Sequence, residues 1–328
     1  MIDLTRIPDD YLPRTNYVPD MPISEFTRKI RGFEVGKDKN GKPVYDKWVD
    51  YYKVIWRRMV GAASERTLQS TIAPPKTSHV NTVNSMLFKQ LKPVIELSAV
   101  MSSLVFDFYI KSTGKGDIRG NIVKHMPIGF EDKFRDRIAV RTLLLNCLNY
   151  KYIEIWNGLY KDAYRYDRWT IRDVRLQDFD KLKVEWSSEY PLRNFFERRQ
   201  ALVEIDVLVA MALGVTLEDL ILMYRVQFPV LQQNENNTWY DAKGNVIFTC
   251  SKGLAGVGLD RSEWDAITKE DGPNRRTLKK GDSYTHTIEK SELYRGEPIT
   301  YYPPFDRCDR EEDYRIAWEH FERELGNT

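Results

Sequence analysis

The sequence predicts an α+β protein, on three observations. Between residues 21 and 130, short strand-like and helix-like runs alternate around turn signals such as Asn40-Gly41 and Pro74-Pro75. From Glu131 to about residue 230, apolar residues fall mostly three or four apart, the spacing of amphipathic helices. The last part opens on a hairpin signal and closes on a helical run. The chain therefore divides into an extended lead-in (1–20), a mixed α/β unit (21–130), a helical scaffold (131–230) and a C-terminal α/β region containing a hairpin (231–328).

The elements follow in order. Pro8, Pro13 and Pro19 keep the lead-in extended. Phe33 to Val44, FEVGKDKNGKPV, reads as a hairpin or surface loop turning at Asn40-Gly41. In Trp48 to Met59, WVDYYKVIWRRM, aromatic and aliphatic residues recur near helical spacing and end on Arg57-Arg58. A strand is expected around Thr67 to Ala73, after which Pro74-Pro75 forces a loop carrying Lys76, Ser78 and His79. The stretch from Ser98 to Pro127 begins as an apolar helix and passes Ser102-Ser103, a turn rather than a nucleophile. It continues into VFDFYI, which has strand character, and then delivers the loop STGKGDIRGN to the surface.

Beyond Glu131, a helix carries Phe134, Ile138 and Leu145, with a break near Asn149-Tyr150 before Tyr152, Ile155, Trp156 and Leu159. Trp169 and Trp186 anchor the charged, aromatic stretch from Tyr160 to Glu189. Pro191 to Leu213 forms a long helix ended by Gly214. Thr216 opens another, with Asp219 at its third position, and Pro229 limits it. TWYDAKGNVIFT turns at Lys243-Gly244-Asn245, loops such as GPNRRTLKKGD (272–282) follow, and a helix from about Arg310 to Leu325 closes the chain.

Composition narrows the function classes. With 42% hydrophobic and 30% charged residues, the chain has the make-up of a soluble globular protein. No apolar run reaches membrane-spanning length, and the polar, proline-bearing first 20 residues do not read as a signal peptide. Cys147, Cys250 and Cys308 are odd in number and far apart, which suits idle thiols in a reducing cytoplasm. The net charge of +2 hides an asymmetry. Residues 1–130 carry 20 Lys and Arg against 13 Asp and Glu, which leaves 30 against 35 for the remainder. A basic first part suits a polyanion.

The catalytic signatures are weak. His79, His125, His286 and His320 stand alone rather than at metal-ligand spacing. GLAGVG (253–258) lacks a βαβ setting and reads as an ordinary loop. Tyr302 to Phe305, YPPF, echoes the [DN]PP[YF] of amino-methyltransferases, but Tyr302 stands where the polar residue belongs. Asp178, Asp180, Lys181 and Lys183 offer the ingredients of a Mg²⁺-dependent nuclease without its strand context. What remains is a basic constellation: Arg57, Arg58, Arg66, Lys76, Lys111, Lys115 and Arg119, accompanied by Thr67, Thr77, Ser78, His79 and Asn81. Lys and Arg neutralise phosphates, and Arg, Asn, Ser and Thr can read base edges. Few aromatics accompany them, which favours duplex over single-stranded DNA.

The stretch 98–127, together with WRRMVGAASERTLQSTIAPP, resembles the target recognition domains of restriction-modification systems, including the type I specificity subunits. AVMSSLVFDF (99–108) and His125-Met126-Pro127 carry that likeness. LGVTLEDLILMYRVQFPVL, TWYDAKGNVIF and PPFDRCDREEDYRIAW look like the C-terminal region of bacterial adenine-specific DNA methyltransferases of restriction or phage-defence systems. The resemblance covers most of the chain, through architectural rather than catalytic motifs. It implies a non-catalytic module that selects a double-stranded DNA sequence for a methyltransferase core, with S-adenosylmethionine held by that partner and no cofactor in this chain. A Mg²⁺-dependent nuclease and a helical protein-binding adaptor are the alternatives.

Overall fold

The computed structural model describes residues 3–11, 18–30, 32–61, 63–254, 256–268, 278–291 and 294–326. Pro13 and residues 272–277 of the expected GPNRRTLKKGD loop lie outside them. Within them the α+β class holds, as eleven α-helices with several small antiparallel sheets.

The mixed unit begins with α1 (Ile23–Lys29) and the hairpin β1 (Gly32–Lys37) and β2 (Pro43–Lys47), in which Lys37 pairs with Pro43 across the Asn40-Gly41 turn. Next comes a three-stranded sheet in the order β4-β3-β5, with β3 (Lys53–Arg57) central and antiparallel to both β4 (Ser70–Ala73) and β5 (Val83–Leu87). The expected helix at 48–59 is thus a strand, preceded by one 3₁₀ turn at Trp48–Asp50. Val54 and Trp56, two apart, are both buried in the main core, the period of a strand; β-branched and aromatic content outweighed the helical spacing. Since Lys53 pairs with both Ala73 and Leu87, residues 74–82 must run back along the sheet from one end to the other.

α2 (Leu91–Ser102) and α3 (Leu104–Ser112) meet at a 64° bend. Ser103 ends the first and caps the second, its hydroxyl accepting from the Phe106 amide at 3.4 Å. VFDFYI is therefore helical, not a strand. In α3 the buried residues Leu104, Asp107, Ile110 and Lys111 share one helical face, with Val105 beside them. The short α4 (Gly120–Val123) leads to α5 (Asp132–Asn146) and α6 (Ile153–Leu159), with a 3₁₀ turn at Tyr150–Tyr152 where a break was expected.

α7 (Phe195–Ala212) ends before Gly214, whose φ of +70° only glycine adopts readily. Thr216 then caps α8 (Leu217–Gln227) by accepting from the Asp219 amide at 3.1 Å, and Pro229 opens α9 (Pro229–Asn236). The expected hairpin forms as β6 (Trp239–Tyr240) and β7 (Val246–Phe248). After α10 (Arg261–Thr268), a second hairpin not anticipated from the sequence pairs β8 (Tyr284–Thr287) with β9 (Pro298–Tyr301), and α11 (Arg310–Gly326) closes the chain.

One hydrophobic core runs from Val54 and Trp56 on β3 through α2, α3, α5, α7 and α8 to Phe321 on α11, straight across the expected boundary at residue 130. A smaller core holds Ile247, Phe248, Trp264 and Tyr301 of the C-terminal region. Beside this smaller core, Gly258 of GLAGVG passes so close to β7 that a Cβ there would lie 2.5 Å from the Ile247 carbonyl oxygen. That approach accounts for this glycine without a nucleotide. No single helix among the described residues is long and apolar enough to cross a membrane.

Buried charge ties the helices together. Arg141 of α5 is fully enclosed, donating from Nε to Glu204 of α7 at 2.5 Å and from Nη1 to Asp167 at 2.7 Å. Arg310 at the start of α11 donates to Asp206 of α7 at 2.9 Å and to both oxygens of Glu235. Such pairs are costly to break singly.

Candidate nucleic-acid interface

The C-terminal end of β3 organises the candidate surface. Arg57 is exposed there, and the Arg58 amide donates to the Thr82 carbonyl at 3.0 Å, so the 74–82 crossover lands beside it. The other wall is the loop after α3. Its Gly116 carbonyl accepts from the Val60 amide, its Ile118 amide donates to the Arg58 carbonyl at 2.8 Å, and Met59 and Asp117 form a β-bridge. Ile118 is fully buried, and its carbonyl accepts from Trp56 Nε1 at 2.8 Å and Asn84 Nδ2 at 3.0 Å. The glycine-rich loop is therefore stitched to the sheet rather than hanging free.

Within this frame one carboxylate holds two arginines. Asp117 accepts from Arg58 Nε at 2.8 Å and Nη2 at 3.0 Å, and from Arg119 Nε at 2.9 Å. Arg58 spends its remaining Nη1 on the Asn81 side-chain oxygen, 2.9 Å away. The hydrogen bonds from Arg58 and Arg119 hold the Asp117 carboxyl down at about 2, so it is ionised at neutral pH and the trio carries one net positive charge. The Arg119 side chain remains 66% exposed. Lys115, Lys124 and His125 are exposed on the same loop and the turn after it. A groove of about 440 Å³ opens beside Arg57, rimmed by Gln69, Ser70 and Thr71.

The predicted residues separate into three groups. Arg57, Arg58, Asn81 and Arg119 meet at this end of the sheet, with Lys115 on the same loop. Lys76, Thr77, Ser78 and His79 lie elsewhere along the crossover. Lys76, at a φ of +65°, is ion-paired with Asp50. Thr77 Oγ1 donates to the Pro74 carbonyl at 2.6 Å, Ser78 is exposed, and His79 Nε2 bonds the Ser85 hydroxyl at 2.9 Å.

The third group faces inward. Asp107 of α3, fully buried, accepts from Arg66 Nε at 2.7 Å and from the amides of Thr67 and Leu68, both at 3.0 Å. Arg66 Nη2 also donates to the Ser102 carbonyl at 2.6 Å. Lys111 is 7% exposed; its Nζ donates to the Ser64 carbonyl at 2.8 Å and lies 5.0 Å from the Phe228 ring. Burial pulls its ammonium below the usual lysine value, with Asp107 opposing. Thr67 and Lys111 thus fasten the 64–68 segment to α3 and do not belong to the surface set, whereas Arg66, tied to α3 in the same way, keeps a side chain 19% exposed and also lines the groove beside Arg57.

Asp117 is the residue that sequence reasoning passed over, although a lone carboxylate among Lys111, Lys115 and Arg119 was a visible signal. The nuclease ingredients Asp178, Asp180, Lys181 and Lys183 are all exposed, on and around the 3₁₀ turn Phe179–Lys181 rather than on a strand. Among the described residues no group of three or more His, Cys, Asp or Glu is arranged to hold a metal ion. Tyr302 of YPPF donates its amide to Asp241 Oδ2 at 3.2 Å and its carbonyl accepts from Ala242 at 2.8 Å, which fastens this segment to the β6–β7 hairpin. Compared with known proteins, the chain matches no protein-family model, no curated protein and no solved structure.

Proposed function

We propose that this chain is a sequence-specific double-stranded DNA recognition module, non-catalytic by itself, serving a restriction-modification or phage-defence methyltransferase in the cytoplasm. The observation that supports this reading most is the basic end of the three-stranded sheet, where Arg57, Lys115 and Arg119 stand exposed on a frame of backbone hydrogen bonds. Rigid loops with surplus guanidinium charge suit a polyanion of fixed shape. S-adenosylmethionine belongs to the partner methyltransferase core, not to this chain. That core docks on the helical part, where Leu222 and Val226, one turn apart on α8, are 57% and 63% exposed.

Affinity for duplex oligonucleotides, measured against salt, tests the reading. Log K should fall steeply with log salt, and removing Arg57 or Lys115 should lower the slope by about 1 each. Binding that is absent, or indifferent to salt, refutes it. Incubation with supercoiled DNA and Mg²⁺ should leave the DNA intact; nicking would favour the nuclease alternative.

A further inference from the structure

Arg58 and Arg119 share a carboxylate but are not equivalent. Arg58 uses Nε and Nη2 on Asp117 and Nη1 on Asn81, and its side chain is only 21% exposed. It is a fixed strut. Arg119 gives Asp117 only its Nε, and among the described residues its Nη1 and Nη2 have no hydrogen-bond partner. Two parallel N–H groups at the end of a planar fork match either a phosphate or the O6 and N7 acceptors of guanine in the major groove.

Two features favour the base. A contact to phosphate gains from undiluted positive charge, whereas an ionised carboxylate beside the fork offsets it and repels a second anion. A contact to a base edge gains from fixed direction, which is what the carboxylate on Nε supplies. The main chain is held on both sides. Ile118 is tied to Arg58, Trp56 and Asn84, and the Arg119 carbonyl accepts from the Ile122 amide at 2.9 Å. Little freedom remains to be lost when the fork meets its target.

We infer that Arg119 reads a guanine in the major groove of the bound duplex, with Asp117 as its positioning carboxylate and Arg58 as the strut that holds Asp117. This rests on the DNA-recognition reading and adds the base and the reader.

The test uses the full chain. Duplexes selected from a random library are rebound with each selected guanine replaced in turn by adenine or by 7-deazaguanine, which lacks the N7 acceptor. One guanine should prove sensitive, its replacement weakening the intact chain by about 10- to 100-fold. R119A should bind the original and the replaced site alike. R119K keeps the charge and should restore the salt slope without restoring discrimination. D117N should keep or raise affinity for unrelated duplex and lose most of the discrimination, which a purely structural role for Asp117 would not do. An R119A variant that weakens every sequence equally, with a smaller salt slope, makes Arg119 a phosphate contact and overturns the inference while leaving DNA recognition intact. Selected sites with no Arg119-dependent guanine overturn it likewise. An intact chain that binds no duplex overturns both readings.

Discussion

Removing the Asp107 carboxylate separates the inward basic residues from the outward ones. In Asp107→Ala the half-buried Arg66 guanidinium loses its charged partner, and the amides of Thr67 and Leu68, each 3.0 Å from the carboxylate, are left without an acceptor. Breaking a buried ion pair from one side costs about 3–5 kcal/mol. Each stranded amide adds roughly 1–3 kcal/mol where water cannot reach it. These contributions overlap, because a segment that loses its anchor relaxes toward solvent, and Arg66 keeps its bond to the Ser102 carbonyl. The expected loss is about 4 kcal/mol, read from urea unfolding followed by circular dichroism. Asp107→Asn keeps an oxygen for the two amides but turns an NH₂ toward Arg66, and should lose about half as much. Arg66→Ala should also destabilise by roughly 3 kcal/mol while leaving the salt slope of duplex binding unchanged, whereas Arg119→Ala should stay within about 0.5 kcal/mol of the parent. An Asp107→Ala protein less than about 1 kcal/mol below the parent refutes this account. So does an Arg66→Ala protein of full stability with a reduced salt slope, since Arg66 would then serve DNA rather than α3.

Other substitutions probe the same frame. Lys53 on β3 is fully buried, its ammonium 3.4 and 3.5 Å from the carbonyls of Tyr51 and Pro74 and 5.4 Å from the centre of the Trp48 ring, and burial pulls its pKa down to about 8 against the opposing pull of Asp50. The folded value lies below the unfolded one near 10.4, so the destabilisation is full below pH 8 and is relieved between 8 and about 10.4. Lys53→Met should therefore be more stable by roughly 1–3 kcal/mol at pH 7, an advantage that shrinks across that window in paired melts. Burial opposes ionisation of Glu235, but the guanidinium groups of Arg199 and Arg310 outweigh it and hold the carboxyl down at about 2. Its contribution is present above the ordinary glutamate value near 4.3 and lost as pH falls toward 2, so Glu235→Gln should flatten the acid limb of stability over that range. Gly258→Ala places a methyl against the Ile247 carbonyl at a φ of +73° and should destabilise the C-terminal region by at least about 1 kcal/mol in hydrogen exchange of the β6–β7 hairpin.

Local chemistry made much of the fold legible. The Asn40-Gly41 turn, Gly214 after α7, the Thr216 cap of α8, the Lys243-Gly244-Asn245 turn and the closing helix each follow from residues within a few positions of one another. The two reversals share a cause. WVDYYKVIWRRM and VFDFYI are short apolar runs whose spacing fits either period, and each was settled by distant partners: β4 and β5 for the first, the 66–68 segment for the second. The hairpin of β8 and β9 was illegible because a largely polar strand such as Tyr284–Thr287, YTHT, carries little apolar alternation of its own.

The candidate site divides in the same way. Composition and charge determined that the first 130 residues carry a basic excess, and that its residue types can meet a nucleic acid. Only the tertiary structure decided which cations face outward. A guanidinium or ammonium is satisfied equally by a buried carboxylate, a carbonyl or a phosphate, and the sequence does not say which of these lies nearest. Asp107, 41 residues from Arg66 in the chain, fastens that arginine to α3. Asp117, 59 residues from Arg58, fixes its two arginines at the surface. Long-range contacts of this kind, not the local pattern, set the direction of each charge.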